Sequence, residues 1–492
     1  MQRSAQIQHL FVYRYRYVIG YSVLIALGLY MTLYKLGGLL PGIHNDEAIS
    51  ALNNASLSKI IENPINFPYK LVQWSLISVF GPKILILRIP SVIFGLLAVF
   101  LLYHLLRTWY WPRVAILGSL LFVTSSWFLH FARFANPAIL VAPTVLGFFL
   151  TLSRFRLTKK FYWIFLAAIF FVIGMYTPYF LYFAAASILV NLWAIKTTLR
   201  QSKAWIMPVL IIIVILALAP LGYAIYIKPP VAKELLGIPD NFIGIKALLV
   251  NYWGTIAHIF WTSRENWGYH LGTLPMFDIF TASMVGLGLY HYERHWPSIR
   301  SKTLFIALPV ITLAVSLKAL PTSFVILIPL FYILATSGAS TLLGQWYGIF
   351  PKNPIARTVG IIPFALLLAT VFYYHHQRYF VAWPQTPEVR QEFHEDYPKL
   401  MEIFEQTNSK ILVVGSESQI PRYQLAGLEF KNVSVSSTIN QTSLKNYDIV
   451  YLSSSAQKEI NASEMLNDHN VDYIPSNEPT SDSMLFIRYT KK

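Results

Sequence analysis

The sequence predicts a polytopic α-helical membrane protein of about 11 transmembrane helices, followed by a small C-terminal α/β domain outside the cytoplasm. Three observations carry this. The 492 residues are 55% hydrophobic and only 13% charged, far more apolar than a soluble chain of that length. Apolar runs of bilayer length recur from residue 18 to residue 376. Beyond residue 377 Glu, Asp, Asn and Ser rise and the apolar runs shorten to strand length. These shifts set the expected domains: 1–376 embedded in the membrane, including outside loops 38–83 and 228–272, and 377–492 soluble and extracytoplasmic.

The N-terminus carries Arg3, Arg14 and Arg16 ahead of an apolar run with no small-residue cleavage site, so it reads as a retained signal anchor. Segments able to span follow at 18–37, 84–106, 113–131, 137–153, 161–177, 179–195, 205–227, 273–291, 302–320, 322–343 and 358–376. Two joints leave alternatives open: Tyr176-Thr177-Pro178-Tyr179 fits a turn or a kink, and Pro321 separates two helices or breaks one.

The net charge of +16 is read as topology, because the basic residues cluster between apolar runs and not in one patch for nucleic acid. Alternate joints hold Arg107/Arg113, Arg154/Arg156/Lys159/Lys160, Lys196/Arg200/Lys203, Arg294/Arg300/Lys302 and Lys352/Arg357. Short cytoplasmic loops are enriched in such residues. The bias places the N-terminus inside, and the loops at 38–83, 132–136, 228–272 and 318–322, with the C-terminal domain, outside. Zero cysteines exclude disulfides and thiolate metal ligands.

The outside loops have their own order. Residues 48–82 show helix-like apolar spacing interrupted by Asn63-Pro64 and Phe67-Pro68, which suits short interfacial helices. Residues 252–270 gather Tyr252, Trp253, Phe260, Trp261, Trp267 and Tyr269 near His258 and His270; aromatic side chains anchor at membrane interfaces. In the tail a helix is expected around Pro387–Gln406, and buried strands at Lys410–Ser416, Asp448–Ser453 and Met484–Tyr489. Gly415 alone makes no phosphate loop. Triplets beginning at Asn432, Asn440 and Asn461 fit N-glycosylation where a host performs it.

Candidate chemistry centres on Gly42-Ile43-His44-Asn45-Asp46-Glu47-Ala48. Two adjacent carboxylates directly after a membrane span are costly unless water, a partner or a function compensates them. Moving a group off a lipid phosphate requires a base for the acceptor and positive charge for the departing phosphate. Asp46 and Glu47 are the candidate catalytic carboxylates. Lys70, Lys83, Arg133, Arg264 and Lys318 are the outside-facing cations for the phosphate, although any one of them also suits a snorkelling interfacial role. His44, His258, His270 and Asn136 are candidate substrate contacts.

Asn45-Asp46-Glu47-Ala48 after the first span, Gly81-Pro82, Leu87-Arg88-Ile89-Pro90-Ser91, Ala132-Arg133-Phe134-Ala135-Asn136-Pro137, Gly272-Thr273-Leu274-Pro275 and Leu320-Pro321-Thr322-Ser323 occur in that order. In this the chain resembles the C-type (GT-C) membrane glycosyltransferases, within them the branch of protein O-mannosyltransferases and the lipid A aminoarabinose transferase. The likeness covers about residues 15–345. It implies an inverting transferase that moves a sugar from a polyprenyl-phosphate donor to a lipid, glycan or protein acceptor outside the cytoplasm, with Asp46 as general base and Glu47 as its supporting acid. Asn136-Pro137 stands where relatives often continue to a second carboxylate, and Ser323 where they commonly carry Arg. A neutral Asn is a poor ligand for a hard cation, so no cofactor and no metal is expected, while tertiary proximity of Asp46, Glu47, His44 and His270 leaves a divalent cation open. The rival readings are a transporter or lipid flippase, supported by the broken helices near Pro178 and Pro321, and a scaffold that anchors the tail.

Overall fold

The structure is a computed structural model that describes residues 15–201, 206–241, 243–263, 266–270, 272–351, 353–438, 447–459, 469–476 and 484–491. Arg264 and the triplets beginning at Asn440 and Asn461 lie outside the described residues. The chain forms two compact units, one built from Met1–Tyr34, Ile61–Tyr69 and Ser91–Ala382, the other from Lys35–Ile60, Lys70–Pro90 and Trp383–Lys492.

Every apolar segment marked in the sequence contains helix. Among the described residues, six helices are long and apolar enough to cross a membrane: Ile84–Trp109, Pro137–Thr158, Pro208–Ile227, Ile299–Lys318, Pro321–Ile349 and Val359–Gln385. The expected span at 113–131 is two helices, Pro112–Thr124 and Ser126–Arg133, bent by 65°. Ser125 makes the break: its extended backbone stops the first helix, and its hydroxyl accepts from the Phe128 amide at 3.5 Å to start the second. Other segments give shorter helices, including Tyr162–Met175 and Ile279–Arg294. Both open joints separate helices, at 176–179 by a turn and at Pro321 by a 3-10 segment that leads into Leu327–Ile349.

Within the larger unit, the Ile279–Arg294 and Leu327–Ile349 helices approach backbone to backbone. A side chain at Gly288 would meet the Leu334 carbonyl, and one at Gly338 the Met284 carbonyl. Small residues permit this close approach where no hydrophobic force drives helices together in lipid. The Ile206–Ile227 helix leaves Ile211, Ile213, Ile215 and Leu216 exposed, the apolar surface a lipid-facing helix presents.

The smaller unit contains a five-stranded mixed sheet. With β1 (Ile43–His44), β2 (Phe393–His394), β3 (Ile411–Val414), β4 (Val433–Ser436), β5 (Ile449–Ser453), β6 (His469–Pro475) and β7 (Met484–Lys491), its order is β4-β3-β5-β7-β6. The first three strands are parallel, and β7 runs antiparallel to β5 and β6. Continuous apolar runs in β3 and β5 bury Leu412, Val414, Val450 and Leu452 against Ile487 and Tyr489, as a sheet covered on both faces requires. The helix expected over Pro387–Gln406 is interrupted: Pro387–Glu392 and Asp396–Gln406 flank β2, which pairs antiparallel with β1. Residues 393–394 are thus drawn into strand by a partner 350 positions upstream, overriding local helix preference. Residues 45–80 form helices Asn45–Asn54, Leu57–Glu62 and Phe67–Phe80.

Candidate functional site

In the smaller unit, the chain enters the candidate site through Gly42, where any side chain would strike the His394 carbonyl. β1 then leads into the Asn45–Asn54 helix, whose N-cap is His44. The His44 ring Nδ1 accepts from the Asp46 amide at 3.1 Å, and the His44 amide donates to Glu47 Oε2 at 3.3 Å. This reciprocal arrangement satisfies amides that a helix start leaves without partners. Because Nδ1 accepts, the ring proton sits on Nε2, which faces Glu392 Oε2 at 3.5 Å. That bond from His44 is the main reason the Glu392 carboxyl lies below its ordinary range.

The two adjacent carboxylates diverge completely. Glu47 is fully buried and receives two bonds from Arg88, Nε to Oε1 at 2.9 Å and Nη2 to Oε2 at 2.7 Å. Arg88 also donates to the Leu36 carbonyl at 3.0 Å. Such a fork-to-fork pair tolerates burial because nearly every donor and lone pair is met. Asp46, one residue earlier on the helix, leaves 49% of its side chain exposed. Two carboxylates at the positive end of a helix also gain from its dipole.

The C-terminal segment supplies a second buried pair. Arg422 donates Nε to Asp396 Oδ1 at 3.2 Å and Nη2 to Oδ2 at 2.8 Å, and its Nη1 donates to Asn45 Oδ1. Burial, reinforced by the Arg422 charge, lowers the neighbouring His394 to about 4. Tyr397 donates its hydroxyl to the Pro82 carbonyl, and Lys83 lies 3.8 Å from Glu405. Lys70 is partly buried in the Phe67–Phe80 helix.

The remaining sequence candidates lie in the larger unit. Arg133 is buried and donates to the carbonyls of Met31 at 2.9 Å, Thr32 at 3.1 Å and Tyr34 at 2.7 Å, with its guanidinium 5.0 Å from the Phe380 ring centre. It thereby caps the carbonyl end of the Arg16–Leu33 helix, a place that favours a cation. Asn136 accepts from the Ala138 amide at 2.9 Å and starts the turn at Pro137–Leu140. Lys318 ends its helix, partly buried. His258 and His270 meet through Ser263. His270 Nδ1 donates to the Gly272 carbonyl at 3.0 Å, so its Nε2 accepts from the Ser263 hydroxyl at 2.9 Å, and that oxygen accepts from His258 Nδ1 at 2.6 Å. Burial lowers His270 to about 4. Among the described residues no group of three or more His, Asp or Glu side chains is placed to hold a metal.

Residues 64–221 match the model of the dolichyl-phosphate-mannose-protein mannosyltransferase family. The fold is similar to that of ArnT from Cupriavidus metallidurans bound to undecaprenyl phosphate, with a TM-score of 0.58 at 11% identity, covering 95% of this chain and 97% of that one. The apo form of the same protein gives 0.57 at 12%, over 96% and 97%. The chain thus shares the fold of ArnT along nearly its whole length. No curated protein sequence matches it. Archaeal oligosaccharyltransferase AglB from Archaeoglobus fulgidus, in complex with an inhibitory peptide and a dolichol-phosphate, gives a TM-score of 0.49 at 11% identity, over 98% of this chain and 75% of that one.

Sequence reasoning missed several residues that hold the loops of this chain. Arg88 sits within an apolar run, and a charge there is a signal in itself. Asp278 is another: it caps the Ile279–Arg294 helix and lies 3.1 Å from the buried His375, whose Nδ1 is 3.2 Å from Ser126. Arg422 and Asp396 belong to a polar segment where charges are ordinary, so nothing local distinguished them.

Proposed function

We propose that this protein is a C-type membrane glycosyltransferase, which takes a sugar from a polyprenyl-phosphate donor and passes it, with inversion, to an acceptor hydroxyl on the extracytoplasmic side, Asp46 acting as general base. The observation that carries the reading is the divergence at 46–47. Glu47 is enclosed and committed to Arg88, so of the two carboxylates Asp46 is the one that reaches a substrate. A carboxylate beside an acceptor oxygen removes its proton as that oxygen attacks the anomeric carbon from the face opposite the departing lipid phosphate. Positive charge stabilises the negative charge that grows on the phosphate. Lys70 and Lys83 lie in the same compact unit as Asp46 and are the cations we assign to it. The fold shared with ArnT, whose structure holds undecaprenyl phosphate, supports a lipid-phosphate donor. The charge bias of the joints supports an outside location for residues 38–83.

The test is turnover of a radiolabelled polyprenyl-phosphate sugar by the reconstituted protein. Asp46→Asn keeps the shape and loses the basicity, so transfer should fall by about 10² to 10⁴ with donor binding retained. Wild-type turnover by this variant would remove Asp46 from the mechanism, and flux of the sugar lipid without a covalent product would replace transfer by transport.

A further inference from the structure

In the larger unit, the ends of three membrane-length helices border a half-open cavity of 660 Å³, a size that accommodates a small-molecule headgroup. Trp109 lines it from the end of the Ile84–Trp109 helix, Ser153 and Arg156 from the last turns of the Val141–Thr158 helix, and Arg300 and Lys302 from the start of the Ile299–Lys318 helix. Its lining holds three cations and no carboxylate. Among the described residues, Arg156, Arg300 and Lys302 form no ion pair. Like charges gathered around one space repel one another unless an anion enters it.

Two of the cations, Arg300 and Arg156, are held in place. The Arg300 guanidinium lies 6.0 Å from the Trp109 ring centre, 5.5 Å from Tyr110 and 5.7 Å from Tyr292. Stacking uses the faces of the guanidinium and leaves its donor edge for an acceptor. Arg156 donates to Asn191 Oδ1 at 3.5 Å, and the buried Asn191 is itself fixed by a 2.7 Å bond to the Ser187 carbonyl. A snorkelling side chain extends into open water, whereas Arg300 and Lys302 are partly buried and all three side chains, the exposed Arg156 included, line the same half-open cavity. The cavity lies where membrane-length helices end, the depth at which lipid phosphates sit. Basic pockets between helices on the cytoplasmic side take anionic headgroups, and the joints that form this cavity belong to the basic set that the charge bias assigns to the cytoplasm.

We propose that this cavity binds the phosphodiester headgroup of an anionic membrane lipid, with Arg156, Arg300 and Lys302 as its charge partners. None of its lining residues belongs to the candidate catalytic set, so the assignment stands apart from the role of Asp46. The experiment is native mass spectrometry of the full chain from nanodiscs containing phosphatidylglycerol and phosphatidylcholine. Wild type should retain phosphatidylglycerol selectively. Replacing Arg156, Arg300 and Lys302 by Gln should weaken that binding about 100-fold. The same replacement at the exposed Arg113, Lys159 and Lys160 should not, although it removes equal charge from the same joints. Ser153→Trp, which fills the cavity and keeps every charge, should also expel the lipid. Retention of phosphatidylglycerol by both cavity variants overturns the site. Displacement of the lipid by inorganic phosphate at matched concentration overturns the lipid source in favour of a free anion.

Discussion

Asp46 and Glu47 are one residue apart and do opposite things, and the cause is helix geometry. Successive residues on a helix point about 100° apart, so one carboxylate turns inward to Arg88 while the next faces outward. Removing one member of a buried pair leaves the other charge uncompensated, at about 3–5 kcal/mol. Glu47→Gln should therefore lower the thermal stability and membrane yield of the protein, while Asp46→Asn leaves both near wild type and removes transfer. Fluorescence-detected size exclusion after a heating series measures the first effect and product formation the second. A Glu47→Gln protein as heat-resistant as wild type would deny the ion pair its structural weight. The acidic pair was legible in the sequence as an anomaly at a membrane boundary. The division of labour was not, because Arg88 lies 41 positions away and no local pattern names it as a partner. Arg133 teaches the converse: its charge and position marked it for a phosphate, while its donors reach three helix carbonyls, a demand visible only once the Arg16–Leu33 helix is seen to end there.

Elements were legible to the extent that their causes are local. Apolar length located a helix in every segment it marked but missed Pro230–Leu236 and Ile245–Phe260 in the loop at 228–272, and continuous Val, Ile and Leu runs located β3 and β5. Breaks were harder. The 65° bend after Thr124 arises from one hydroxyl cap at Ser125, and β2 exists only because β1 pairs with it. This two-stranded element also gives the site a pH response. His394 lies in β2 with its value lowered to about 4 by burial and by the Arg422 charge, against an ordinary value of about 6.5. Between those values the unfolded chain binds a proton that the folded chain does not, so stability falls as pH drops through that window and levels off below it. Glu392 adds a further loss as the pH falls through the carboxylate range, since its lowered value depends on the folded bond from His44. Hydrogen exchange at Ile43–His44 and Phe393–His394 should accelerate from about pH 6.5 downward, and His394→Gln should remove the portion above the carboxylate range. Equal acid sensitivity in that variant would move the response to another group.

Hydropathy describes a chain segment by segment, which is why it separated a membrane part from a polar tail and said nothing of how the tail is used. In the structure, Trp383–Lys492 shares one compact unit with Lys35–Ile60 and Lys70–Pro90, so the tail is built together with the loop that bears Asp46. The link is physical: β2 pairs with β1, Glu392 meets His44, Tyr397 reaches Pro82, and Arg422 bridges Asp396 to Asn45. That last bond joins residues 377 positions apart and ends one residue from the proposed base, which is the ground on which we propose Arg422 as a positioning residue. A small displacement of a catalytic group has a large cost in rate, about 10²-fold for roughly 1 Å, so Asn45→Ala, which removes the bridge and keeps the Arg422–Asp396 pair, should lower kcat about tenfold or more with donor KM little changed. Arg422→Lys, which retains the charge and loses the fork, should fall between Asn45→Ala and Arg422→Ala. If the bridge only holds the fold, these variants will lose folded protein in proportion to activity, and kcat per folded molecule will stay at the wild-type value. Steady-state kinetics normalised to monodisperse protein separate the two results, and an unchanged kcat in Asn45→Ala would detach the tail from catalysis even if Asp46 remains the base.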